Sequence, residues 1–346
     1  MSKHNIDTIW FTRCPVPTAT GLAYKLGWLG EEFKADGLAV KTLQDHRDLG
    51  RHHYDHELTT LIREGGNLLA IPAKAQGANT RLVGLTWIDE WQTILVRPDS
   101  GITRPADLRG KRLALPAFKP QDIAENRRGR SIARGMSLAG YKGALASAGL
   151  GLEEVTLVEV GGDSNGGQEN LGRLWDGILE LKEGKVDAVY VKGAAAAEAA
   201  REHGVIVGID LDKLPEKRFR VNNGTPRPIT VHQSLIDEHF DLLARFLAQT
   251  LSAADWAKTH LAEVKTILQG ETRAGDAGVT EAYRDNFHLH LAPDLSSERV
   301  ELFRQQKNFQ LIHGFLDRDF DYDAWIDYRP LEEAQRLFER QRQQAA

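Results

Sequence analysis

Cysteine occurs once in the 346 residues, at Cys14. A single thiol cannot close an internal disulfide, so the fold does not depend on an oxidising compartment, and a reduced cytoplasmic thiol is the expected state. Long apolar runs are also missing. No stretch approaches the roughly 18–20 apolar residues that a spanning helix requires, and MSKHNIDTIWF holds no apolar segment long enough for a secretory signal. The expectation is a soluble, cytoplasmic protein without membrane insertion. A net charge of −5 excludes a general nucleic-acid surface, and the one basic cluster, ENRRGRSIARG at 125–135, reads as a solvated segment. Repeats and low-complexity tracts are absent. The glycines of GGDSNGG at 161–167 fit neither the P-loop nor G-x-G-x-x-G, so no nucleotide cofactor is expected, and the cluster reads as a flexible loop over a cleft or as an ordinary surface loop.

What is present alternates. TIWFT, LAVKTLQ, NLLAIPA, RLVGLTW and QTILVRP read as strands, whereas TGLAYKLGWLGEEF and ELTTLIREG have helical spacing of apolar positions, the second closed by Gly65 and Gly66. After the Pro- and Gly-marked RPDSGITRPADLRG, a second set begins, with RLALPA, VTLVEVG, VDAVYVKG and VIVGIDL as strands. GMSLAGYKGALASAGL and ENLGRLWDGILELKEGK are the helices between them. NNGTPRPITVHQS returns the chain, and from HFDLLARFLAQTLSAADWAKTH onward the pattern is helical. The expected fold class is α/β, with two mostly parallel, doubly wound lobes and a helical C-terminal region. Residues 1–97 with 230–346 would form lobe 1 and residues 98–229 lobe 2, with the ligand cleft between them.

Chemistry-bearing residues gather in the first 66 positions: Cys14 in RCPVP, the histidines of GRHHYDHE, and TTLIREGG. A strand whose end opens onto a rigid Pro-Val-Pro turn carries Cys14 to a sheet edge, where α/β folds bind ligands; the plain alternative is a small buried hydrophobe. His52 and His56, spaced i, i+4, share a helical face, but no glutamate is placed as in a zinc H-E-x-x-H helix, so no metal is expected. A histidine can instead orient a thiol and lower its pKa. Arg63 is either a cation at a helix end or an anion ligand. Trp10, Trp87 and Trp91 can pack in a core or stack on an aromatic ligand.

With CPVP, the later histidine and Arg-Glu-Gly-Gly, the chain resembles the sulfinate desulfinases of bacterial dibenzothiophene desulfurisation, which hydrolyse 2-(2'-hydroxyphenyl)benzenesulfinate to 2-hydroxybiphenyl and sulfite. TRLVGLT, ITRPADLRGKRLAL, GKVDAVYVKGAAAAEA and FRQQKNFQLIHGFL resemble family segments in the same order. The resemblance implies the two-lobed type II fold of sulfonate, taurine and nitrate periplasmic binding proteins, and a hydrolase that needs no cofactor. It also implies a site: Cys14 as the thiol, His53 ten residues before the arginine with His52 as its substitute, Arg63 as the anion clamp, and Gly66 with neighbouring Gly65 supplying backbone to the sulfinate. Trp87 is the candidate aromatic contact. The ligand implied is a small sulfinate or sulfonate anion, aromatic in character. Trp87, Trp91 and ENRRGR do not reproduce the family's apolar biaryl pocket, which bears on the substrate more than on the reaction.

Two other readings share the fold. A solute-binding protein for sulfonate, taurine or nitrate would bind without chemistry and hand its ligand to an ABC permease, but it would need no thiol. A pyrimidine-precursor enzyme of this fold would use histidine for ring chemistry, and its cysteine-rich iron motif is missing here.

Overall fold

The computed structural model describes residues 5–12, 16–125, 127–161, 176–272, 274–284 and 286–345. Cys14 and most of the 161–167 glycine cluster lie outside these described residues, as does the first part of the helix expected over ENLGRLWDGILELKEGK.

Ten strands are described: β1 (Thr8–Phe11), β2 (Ala39–Thr42), β3 (Leu61–Glu64), β4 (Thr80–Thr86), β5 (Thr93–Val96), β6 (Arg112–Pro116), β7 (Thr156–Val160), β8 (Ala188–Val191), β9 (Ile206–Asp210) and β10 (Arg227–His232). They form two five-stranded sheets, ordered β2-β1-β3-β10-β4 and β7-β6-β8-β5-β9. Eight helices accompany them: α1 (Ala19–Lys25), α2 (Trp28–Lys34), α3 (His52–Asp55), α4 (Asn67–Ala75), α5 (Pro120–Ala124), α6 (Ile132–Ser147), α7 (Ile178–Lys182) and α8 (Ala194–His203). The helical C-terminal region follows as α9 (Gln233–Ala257), α10 (Leu261–Thr272), α11 (Asp276–Ala282), α12 (Ser297–Ile312) and α13 (Arg329–Ala345).

The α/β class holds, with one refinement. β1 pairs in parallel with β2 and β3, and β6 with β7 and β8, but β5 and β10 run antiparallel to both of their neighbours. These two strands follow the crossings from one sheet to the other, so each enters its new sheet from the opposite end. QTILVRP, read with the first lobe, therefore pairs in the second sheet.

Two elements differ in type from the sequence reading. NLLAIPA, read as a strand, is α4, with Pro72 inside it and eight of its nine residues buried. Burial on nearly every side removes the amphipathic period that marks a helix. ELTTLIREG, read as a helix, contributes strand β3 at its centre, whose four residues are all buried. Gly65 and Gly66 therefore join a strand to a helix rather than closing one.

The first sheet packs against α1, α2 and α9 through Ile9, Phe11, Leu22, Phe33, Phe246 and Leu247. The second is centred on Ile94, Leu113, Tyr141 and Tyr190. There the Tyr141 hydroxyl donates to the Ala114 carbonyl at 2.7 Å and accepts from the Tyr190 amide at 2.8 Å, so α6 is bonded to β6 and β8 through one buried oxygen. A third cluster, Ile71, Leu82, Leu85, Phe303 and Trp325, seats the C-terminal helices behind α4 and β4.

Candidate active site

Arg63 is the second largest fully buried side chain described, 1% exposed. β3 ends one residue later, and the guanidinium folds back over that end. Its Nε donates to the His53 carbonyl at 3.2 Å and its Nη2 to the Gly66 carbonyl at 3.2 Å. A Cβ on Gly65 would fall 2.9 Å from Cζ, Nη1 and Nη2, so only glycine lets the cation lie against this turn. Three residues that the sequence reading selected, His53, Arg63 and Gly66, thus meet around one guanidinium.

His53 is half-buried, and its Nδ1 is out of solvent with no partner among the described residues. Burial lowers its pKa well below the usual value, and the Arg63 charge lowers it further. The imidazole is therefore held in its neutral form, with one ring nitrogen free to accept a hydrogen bond. His56, buried and in the left-handed conformation at φ 59°, is depressed in the same way by burial, Arg63 and His53. His52 is separate in its bonding. Its Nδ1 pairs with Asp55 Oδ1 at 2.9 Å within α3. No group of three or more metal-ligating side chains occurs among the described residues.

The backbone of the turn is nearly fully engaged. The Gly65 amide donates to the Pro228 carbonyl at 3.3 Å, the Asn67 amide to the Asn223 carbonyl at 2.8 Å, and the Leu68 amide to Asn223 Oδ1 at 2.9 Å. That leaves the Gly66 amide as the one N–H of residues 65–68 without an acceptor among the described residues. β1 runs out beside this turn: Thr12 donates through Oγ1 to the Glu64 carbonyl at 2.7 Å and through its amide to the Ile62 carbonyl at 3.4 Å.

Buried charge continues toward the second sheet. Glu64 accepts from Thr86 at 3.0 Å; burial raises its pKa, against the hydrogen bond from Thr20 and the Arg227 charge. Arg227 Nη2 donates to Glu90 Oε1 at 2.6 Å, and Lys192 reaches the same oxygen at 3.3 Å. Glu90 belongs to the first crossing, Arg227 opens β10 and Lys192 follows β8, so this chain of charges links both sheets. The sequence reading missed it, together with Asn67 and Asn223. The only outward signal was the change of character at NNGTPRP.

Trp87 lies in the first crossing rather than on the Arg63 turn. It is buried, its Nε1 donates to Asp89 at 3.0 Å, and Lys217 and Arg220 lie 6.0 and 5.8 Å from its ring centroid. Trp91, in the same crossing, has φ 55° and donates to Glu281. Trp10, on β1, packs edge-on against His46. The basic 125–130 segment is more engaged than a solvated run: Arg130 stacks over Tyr54 at 5.2 Å, and Gly129 lies so close to Pro72 that a Cβ would meet it at 2.4 Å. A cavity of about 190 Å³ lies elsewhere, between α6, Phe219 and α12.

Two α/β sheets joined by two crossings define a fold of the periplasmic-binding-protein type, with Arg63, His53 and the Gly66 turn gathered at the end of β3. The chain belongs to the NMT1/THI5-like family, whose model matches residues 22–263. It is 25% identical over 355 aligned positions to the 2'-hydroxybiphenyl-2-sulfinate desulfinase of Rhodococcus erythropolis, covering 92% of this chain and 91% of that one. Its fold is similar to the desulfurisation enzyme DszB, crystallised as a cysteine-to-serine variant with biphenyl-2-sulfinic acid, at a TM-score of 0.76 and 22% identity over 96% and 99% of the two chains. The periplasmic aliphatic sulphonate-binding protein SsuA of Escherichia coli superposes at 0.65, with 15% identity over 93% and 92% of the chains.

Proposed function

We propose that this protein is a cofactor-free desulfinase that hydrolyses the carbon–sulfur bond of an aryl sulfinate and releases sulfite. The observation that carries the reading is the convergence of Arg63, neutral His53 and the open Gly66 amide on one turn, beside the β1 exit that leads to Cys14. A sulfinate offers two oxygens and one negative charge. The Arg63 cation attracts the charge, and the Gly66 amide donates to an oxygen. The similarity to a desulfinase over nine-tenths of both chains supports the reaction class.

Overall, the sulfinate and one water become the arene and hydrogen sulfite: the C–S bond breaks, a C–H bond forms, and hydroxide is transferred to sulfur. Two routes use the same groups. In one, the Cys14 thiolate attacks sulfur after His53 takes its proton; the aryl group leaves with a proton, and water then cleaves the sulfur–sulfur bond. In the other, the thiol protonates the ring carbon, sulfur dioxide departs and is hydrated to hydrogen sulfite, and the proton that hydration releases returns to the thiolate through His53. Both routes leave His53 neutral at the end of the cycle, the form in which burial and Arg63 hold it. A single thiol kept reduced fits action in the cytoplasm.

The test is sulfite release from a panel of aryl and alkyl sulfinates by the wild type and by Cys14→Ser. Turnover that Cys14→Ser abolishes while anion binding survives is the expected result. No release from any sulfinate, with tight binding of a sulfonate that ignores Cys14→Ser, would instead identify a solute-binding protein with a permease as its partner.

A further inference from the structure

The helix that carries His53 ends on a second buried histidine. His56 closes α3 in the left-handed conformation, φ 59°, with its amide donating to the His52 carbonyl at 3.2 Å. Its side chain is 4% exposed and close enough to Arg63 and His53 to feel both charges. Burial and these neighbours hold the ring neutral, and a neutral imidazole carries one N–H and one lone pair. Neither Nδ1 nor Nε2 of His56 has a hydrogen-bond partner among the described residues. The N–H has a carbonyl within approach, that of His53, which already accepts from Arg63 Nε. Nothing described offers a donor to the lone pair, although buried polar groups are almost always met by protein, water or ligand.

Whatever meets that lone pair has to donate. A sulfinate group brings only acceptor oxygens and a negative charge, which a lone pair repels. The thiol proton is the one His53 serves in the reaction above. The remaining reactant is water, which needs two or more polar partners to be held in an interior. His56 supplies one, and the buried, unpartnered Nδ1 of His53, in the helix that His56 caps, is available as another. We propose that His56 holds the hydrolytic water and takes its proton as the water oxygen adds to sulfur. In the covalent route, that oxygen bonds to the sulfur of the Cys14-bound SO2 group, the sulfur–sulfur bond breaks and its electron pair goes to Cys14. One water proton passes through His56 to the thiolate, and hydrogen sulfite keeps the other. In the sulfur dioxide route, the same addition takes place on SO2 still in the site, with the same proton balance. The inference rests on the desulfinase reading and assigns its second reactant.

Steady-state sulfite release from benzenesulfinate tests it, with calorimetric binding of the same anion, iodoacetamide alkylation of Cys14 and urea unfolding measured in parallel on the full chain. His56→Leu removes the lone pair, whereas His56→Gln keeps an acceptor oxygen. Both carry the same backbone cost at φ 59°, so the pair isolates the acceptor. In His56→Leu, kcat should fall at least tenfold, with benzenesulfinate affinity and the alkylation rate within about twofold of wild type and no loss of stability. His56→Gln should regain most of that rate. Unchanged kcat in folded His56→Leu, a parallel loss of affinity, or slowed alkylation would overturn the water-holding role and leave the desulfinase reading standing. Where His56→Leu does not fold, His56→Gln decides alone: a tenfold loss of kcat with intact binding would overturn the role. A wild type that releases no sulfite from benzenesulfinate or any other member of the aryl and alkyl panel would overturn both.

Discussion

Replacing Asn67 by alanine should damage stability and ligand affinity together. The side chain is fully buried and fully used: Nδ2 donates to the Asn222 carbonyl at 2.7 Å and the Pro226 carbonyl at 3.0 Å, while Oδ1 accepts from Gln306 at 3.0 Å and Gln310 at 3.3 Å. Alanine strands two carbonyls and two amide donors in the interior, where each unmet neutral group costs about 1–3 kcal/mol. Relaxation and water entry recover part of this, which leaves a loss of about 3–5 kcal/mol, a large share of a typical total of about 5–15. Asn67→Asp keeps the acceptor but turns an oxygen toward two carbonyls. It should be as harmful at neutral pH and partly relieved in acid, when the carboxyl is protonated. Urea unfolding followed by the fluorescence of the seven tryptophans gives the stability change. Because Asn222 leads directly to Asn223, anion affinity should also fall in whatever fraction remains folded. A loss below about 1 kcal/mol with unchanged affinity would refute the claim that this amide ties α4 to the return crossing.

Glu90→Gln leaves Arg227 and Lys192 without their shared carboxylate, and urea unfolding should show a loss of about 3–5 kcal/mol that added salt does not mask. Asp212 is pushed up to about 8, first by burial and then by Asp89 and Asp210. Between pH 4 and pH 8 the folded chain therefore holds a proton that the unfolded chain has released, and stability declines as pH rises. In Asp212→Asn that decline, up to about 1.4 kcal/mol per pH unit, should disappear from the unfolding profile. His53 works in the opposite direction. Its folded value lies below the unfolded one near 6.5, so stability is full above that pH and lost as pH falls through it toward the folded value; His53→Gln should flatten this part of the profile. Arg63→Lys keeps the charge but cannot reach the His53 and Gly66 carbonyls with one rigid fork, and sulfite release should fall at least tenfold.

Strands whose β-branched and apolar residues stand together, such as TIWF, TILV and AVYV, were legible because local composition alone marks them. NLLAIPAKA and LIRE were not. The first is buried on nearly all sides, and the second holds an arginine and a glutamate inside the protein, so neither displays the contrast between faces on which periodicity depends. The reversed direction of β5 and β10 follows from the crossings, which no local pattern encodes. At the site, His53, Arg63 and Gly66 were legible through their match to the desulfinase family's motif spacing, since each alone is a weak signal. Asn67, Asn223, Glu90 and Arg227 were not: a buried amide or ion pair becomes informative only when its partner is known, and these partners lie about 140–240 positions away.

The position of β10 bears on how the chain can be made. It lies between β3 and β4, yet it is synthesised only after the whole second sheet. On the ribosome, the second sheet can close as soon as β9 emerges, whereas the first must wait with its middle open and β3 and β4 unable to pair with each other. The Arg63 turn borders that gap, and Asn223, which completes it, arrives four residues ahead of β10. The site therefore cannot be completed until the second sheet has been made, and a nascent chain halted before residue 223 would have the arginine and the histidine without the return crossing that closes their turn.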